Sequence, residues 1–129
     1  MKMLLLKPLS GFSVVEANGL NDYYQHMECD LVDFVSANVK GHQVEVICDD
    51  EGLLKENPIP SVFFNDENDG EYERCLVGNV LFSGPVDDEG ELTELGKEAA
   101  LAILTSAKTR LTYDKHTGHV LTWHVVVNS

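Results

Sequence analysis

Positive charge is what this chain has least of. Nine lysines and arginines face 22 aspartates and glutamates, a formal net charge of -13 at pH 7. Nucleic-acid backbones and anionic membrane surfaces are bound through basic side chains, so direct binding to either is disfavoured. Long apolar runs are missing near the N-terminus too. The run Met3–Leu6 stops at Lys7-Pro8, short of a signal peptide's apolar region and far short of the roughly 18–20 residues of a membrane span. The expectation is a soluble, cytoplasmic protein. Cysteine is sparse and odd in number: Cys29, Cys48 and Cys75 lack the spacing of a zinc finger or a redox pair. Cys48 and Cys75 fall in apolar, strand-like runs and read as buried, reduced thiols. Phosphate-binding loops are absent as well, because the residue five places before Gly96-Lys97 is Glu91 and not glycine. No Gly-x-Ser-x-Gly or Gly-x-Gly-x-x-Gly string occurs. The chain is therefore expected to be non-enzymatic and to carry no cofactor.

What is there suits one folded domain. At 129 residues and 43% hydrophobic content, the chain is long enough for a real core. "KMLLLK" at 2–7 and "FSVVEA" at 12–17 read as strands around a Pro8–Gly11 turn. Asn21 or Asp22 is placed to cap a short helix with Leu20, Tyr23, Tyr24 and Met27 on its apolar side. "LVDFVSA" (31–37) reads as a strand, with a continuing helix as the alternative, and "HQVEVIC" (42–48) as a strand with clearer alternation. Ser61–Phe64 is a short strand in a polar, proline-bearing loop. "RCLVGNVLFSG" at 74–84 reads as one long strand with Gly78 as a bulge or close-approach point. Residues 92–104 have helical spacing at Leu95, Ala99, Ala102 and Ile103, with Thr93 as N-cap. The C-terminal stretch about 108–127 resembles a hairpin turning at Lys115–Gly118. The fold class expected is α+β, with a mixed or mainly antiparallel sheet of about six or seven short strands, two helices and a C-terminal β-hairpin.

The acids are not spread evenly. Residues 45–98 hold 16 of the 22 and only three bases, Lys55, Arg74 and Lys97. Within that stretch Asp-Asp-Glu-Gly occurs twice, at 49–52 and 87–90, each time after an apolar run. The flanks differ, so two tight turns explain the repeat better than a duplication; Asp and Glu tolerate turns and Gly supplies positive φ. "NDENDGEYERCL" starts like a calcium loop at Asn65, Glu67, Asp69 and Gly70, yet its twelfth position is Leu76 where a bidentate Glu is needed. His116, His119 and His124 lie close in sequence, but with no Cys nearby the remaining ligands would have to be Asp114 or residues from elsewhere, and no metal site is expected. Tyr23, Tyr24 and Trp123 are candidate anchors for a partner, but read first as core or rim residues of strands and helix. The candidate binding surface is the acidic set Asp49, Asp50, Glu51, Asp66, Glu67, Asp69, Asp87, Asp88, Glu89 and Glu91.

In order, the "MLLLKP" strand, a short helix leading to "VDFV", "VEVICDDEGLLKENP", and "LVGNVLFSGPVDDEGELTEL" before a helix form a series. The series resembles the family catalogued as domain of unknown function 3846, found in phages and mobile elements of bacteria. The resemblance covers about residues 2–104 and leaves the C-terminal hairpin as an extension. It implies a protein acting inside a bacterial host and carries no assigned activity. The leading expectation is an accessory factor presenting carboxylates to a basic host or phage protein, in its sharpest form a nucleic-acid mimic that inhibits its target. A second reading is a small-ligand protein or small enzyme, its pocket at the sheet edge near Gly78–Asn79. A third is a homo-oligomeric module pairing copies through the C-terminal hairpin.

Overall fold

A computed structural model describes residues 1–7, 11–49, 60–65, 73–113, 116–117 and 120–128, with the backbone alone at 60–65, 73–77, 108–113 and 120–128. The described elements run β1 (Lys2–Lys7), β2 (Gly11–Glu16), α1 (Leu20–Met27), β3 (Val32–Val39), β4 (His42–Asp49), β5 (Pro60–Asn65), β6 (Glu73–Val77), β7 (Val80–Ser83), α2 (Lys97–Ser106), β8 (Ala107–Tyr113) and β9 (Val120–Asn128). The class is α+β. A five-stranded sheet has the order β2-β1-β7-β4-β3, with every described pairing antiparallel. A four-stranded sheet has the order β6-β5-β9-β8, and in it β5 and β9 are parallel.

The first sheet is covered on both faces. Side chains alternate across a strand, and along β1 Leu4 and Leu6 join one core while Met3 and Leu5 join another. The first core also takes Val44, Val46, Val80 and Phe82, closed by Ala102 and Ile103 of α2. The second takes Ile47 and Leu81, closed by Tyr23 and Met27 of α1. Two-sided burial explains why Met3–Leu6 and Val80–Ser83 are continuous buried runs. Each fully buried large side chain in them contributes about 1.5–3 kcal/mol.

Three expectations from the sequence are corrected. The run 74–84 is two strands, β6 and β7, which belong to different sheets. Gly78 turns the chain between them at φ +73°, a conformation that suits glycine. Secondly, the second helix begins at Lys97 with Gly96 as N-cap, leaving Thr93 and Leu95 outside it. Residues 84–95 make backbone bonds elsewhere: Gly84 N–H donates to Thr93 O (3.0 Å) and Leu95 N–H to Lys2 O (3.2 Å). Thr93 Oγ1 donates to Pro85 O at 2.6 Å and so caps no helix. Leu95 is nonetheless buried in the α2-side core. Thirdly, α1 starts at Leu20, so neither Asn21 nor Asp22 is its N-cap. Asp22 works from inside the first turn, accepting the Asn18 N–H at 2.8 Å.

Nine strands are described where the sequence pattern suggests six or seven, partly because the 74–84 run divides. Strands β8 and β9 pair antiparallel; most of the chain joining them lies outside the described residues. Strand β9 has neighbours on both sides, β5 and β8. Among the described residues, only β8 therefore offers an outer edge from this pair.

Candidate functional site

The second acidic string is a turn organised by its own first residue. Asp87 Oδ1 accepts the backbone N–H of Glu89 and of Glu91, both at 2.9 Å. Asp87 N–H donates to Glu91 O at 2.9 Å, and Gly90 N–H donates to Asp87 O at 3.1 Å. Gly90 takes φ +81°, and a bridge between Val86 and Leu92 closes the base. Asp88 and Glu89 are left at the exposed tip. Asp87→Ala should therefore cost about 0.5–2 kcal/mol, as loss of a side-chain cap does. Asp88→Ala should stay within about 0.5 kcal/mol. Urea unfolding of the two variants separates these roles, and equal losses would contradict the turn.

The remaining sequence-derived acids divide plainly. Asp49 ends β4, half-buried and opposite Val32. Asp50, Glu51, Asp66, Glu67 and Asp69 lie outside the described residues, as does most of the calcium-like loop. Of the three histidines, His116 sits in an exposed turn; the side chains of His119 and His124 are outside the description, as is that of Trp123. Among the described residues no group of three His, Cys, Asp or Glu is arranged to hold a metal. The Gly78–Asn79 step is a crossing between sheets and not a sheet edge. Asn79 Nδ2 donates to His26 O (3.0 Å) and Glu28 Oε2 (3.1 Å), tying down the end of α1.

A cleft of about 310 Å³ opens beside the acidic turn. Leu20 and Tyr23 of α1 form one wall, Phe34 of β3 another, and Val86, Gly90, Glu91 and Leu92 the third. Phe34 lies opposite Ile47, on the α1 side of the sheet. Strand β3 is the last in that sheet, and Phe34 remains 43% exposed. Leu20 is 52% and Val86 43% exposed. Tyr23, one helical turn after Leu20, is only 5% exposed, and its hydroxyl has no hydrogen-bond partner among the described residues. Burial first, then the negative charges of Asp22 and Glu91, raise the pKa of this phenol above its ordinary value near 10. It stays a protonated donor at neutral pH. A larger hollow of about 570 Å³ lies between Gly41–Gln43 and the start of α2, lined by Glu94, Lys97 and Glu98; none of the exposed large apolar side chains borders it.

Leu20, Phe34 and Val86 could not be singled out from the sequence, because their spacing is that of core residues. Glu45 is the opposite case. It sits at a polar position of an alternating strand, yet it is 5% exposed and its Oε1 accepts a hydrogen bond from Ser36 Oγ.

Fold and cleft together define an α+β domain with a two-sided antiparallel sheet and an apolar cleft rimmed by acid. The chain belongs to the family described as Domain of unknown function (DUF3846), whose model matches residues 1–107. The match takes in all of the five-stranded sheet and both helices, and ends at the first residue of β8. No curated protein and no solved structure matches it. Among the described residues no helix is long and apolar enough to cross a membrane.

Proposed function

We propose that this protein is a non-enzymatic accessory factor of a phage or mobile element, acting in the bacterial cytoplasm by binding a basic host or phage protein through its acidic surface. The observation that carries the reading is the Asp87–Gly90 turn. It leaves Asp88 and Glu89 exposed at the tip of a turn whose Gly90 and Glu91, with Val86 before it, line one cleft together with exposed Leu20 and Phe34. Apolar contact area next to steering charge is the arrangement of a protein-recognition surface, where charge sets rate and specificity. The net charge of -13 supports a basic partner, and a nucleic-acid mimic is the sharpest form of this reading.

The test is capture of partners from host lysate at low and raised salt by the wild type and by the double variant Asp88→Asn, Glu89→Gln. A stoichiometric basic protein should be retained at low salt, released as salt rises, and held at least several-fold more weakly by the variant. Retention indifferent to both salt and neutralisation would remove the acidic surface from the function. The runner-up, a small-ligand protein, draws on the cleft volume of about 310 Å³, at the lower end of small-molecule sites. Stabilisation by a metabolite or nucleotide in a thermal-shift screen would favour it.

A further inference from the structure

We propose that the cleft between Leu20, Phe34 and Glu91 is the seat of an arginine side chain, carried on an exposed segment of the basic partner. This inference rests on the binding reading above and names what that partner must present.

One feature points to a ligand and a second sets the charge it should carry. The first is Tyr23: a phenol on a residue 5% exposed, lining the cleft, with no hydrogen-bond partner among the described residues. Buried polar groups are normally paired, and an N–H donor in the cleft would give the Tyr23 hydroxyl oxygen a partner. The second is Glu91. Its backbone is held at both ends by Asp87, while its carboxylate makes no hydrogen bond among the described residues. The carboxylate is exposed, on a backbone fixed beside the cleft that it lines. Of the described residues lining the cleft, Met1 alone brings a cation, and its ammonium is turned to Glu16 Oε2 at 3.1 Å and Asn18 Oδ1 at 2.5 Å.

The chemistry of the walls selects among cations. Leu20, Phe34 and Val86 offer apolar surface for an aliphatic stem, which long basic side chains bury while keeping the head polar. A guanidinium is planar and weakly hydrated, stacks on an aromatic face such as Phe34, and pairs bidentately with a carboxylate such as Glu91. It has N–H donors to spare for the Tyr23 hydroxyl oxygen, which accepts as well as donates. An ammonium is more strongly hydrated and offers neither the flat face nor the fork.

The experiment is an NMR titration of the full chain with three capped dipeptides: acetyl-Leu-Arg-amide, acetyl-Leu-Lys-amide and acetyl-Leu-citrulline-amide. The arginine probe should shift the signals of Leu20, Phe34 and Val86 saturably. Binding should be roughly tenfold weaker for the neutral citrulline isostere and for Glu91→Gln, as expected when a charge-assisted pair is lost. Tyr23→Phe should weaken the arginine probe several-fold while leaving Tm unchanged or higher, a split that a purely structural tyrosine would not give. Equal binding of citrulline or of lysine would overturn the assignment. So would shifts centred on Asp88 and Glu89 that persist in Glu91→Gln. If lysate capture is salt-dependent while the cleft is silent to all three probes, this inference falls and the acidic-surface reading stands. Arginine-selective cleft binding with no basic partner captured would uphold the cleft as an arginine seat and remove the acidic-surface reading.

Discussion

Phe82→Ala is expected to lower stability by about 3–5 kcal/mol, the largest single loss available in the described core. Phe82 has no exposed surface. It lies on β7, the middle strand of the five-stranded sheet, level with Leu4 on one side and Val46 on the other. Its ring also meets Phe12, with centroids 6.1 Å apart. Removing it empties the space between sheet and α2, and neighbours pinned in a ladder cannot close it. Phe82→Leu keeps most of the volume and should cost clearly less. Urea unfolding measures both; a loss near 1 kcal/mol for Phe82→Ala, well under the usual range for such a truncation, would mean the α2-side core is not packed as described. The effect should reach the cleft only through global unfolding, since Phe82 faces away from α1.

Gly84→Ala is expected to be the most damaging change outside the apolar core, and its consequence is local to the site. An added Cβ would lie 2.5 Å from Thr93 Oγ1 and closer still to the carbonyl oxygen of Glu94. Backbone cannot step aside as a flexible side-chain tip can, so the 93–95 segment must move. Overpacking of this kind costs about 1–3 kcal/mol, occasionally more. The strand end is tied to that segment through Gly84 N–H to Thr93 O and Thr93 Oγ1 to Pro85 O. Displacing it shifts Leu92 and Glu91, the third wall of the cleft. The variant should therefore lose both stability and binding of the arginine probe. A crystal structure or amide-shift map showing the 91–95 segment unmoved would refute the argument. Gly96→Ala is the contrast: nothing lies within 4 Å of its added Cβ, and at an N-cap the cost should stay near 1 kcal/mol or below.

The turn at 87–90 was legible because its cause is local. Asp87 and Gly90 carry within four residues the acceptor and the positive φ that the turn needs. Strands β1, β3, β4 and β5 were legible for a similar reason, since β-branched and apolar runs bounded by breakers leave few other solutions. The cleft was not legible. Its walls come from residues 20, 34 and 86, and Phe34 counts as surface only because β3 is the last strand of its sheet. Strand order is not written in any window of the chain.

By itself the sequence determined the α+β class, the acidic balance, the family, and the tight turn that keeps Asp88 and Glu89 outward. Each is a property of composition or of a few adjacent residues. The tertiary structure alone decided that the 74–84 run divides between two sheets at Gly78, that Leu95 packs without being helical, and that Glu45 is buried. It also decided that Tyr23 and Glu91 line one cleft. In most of these cases the deciding partner is far along the chain. Backbone bonds such as Leu95 to Lys2, and sheet neighbours such as β1 and β7, are worth more than the local pattern they override.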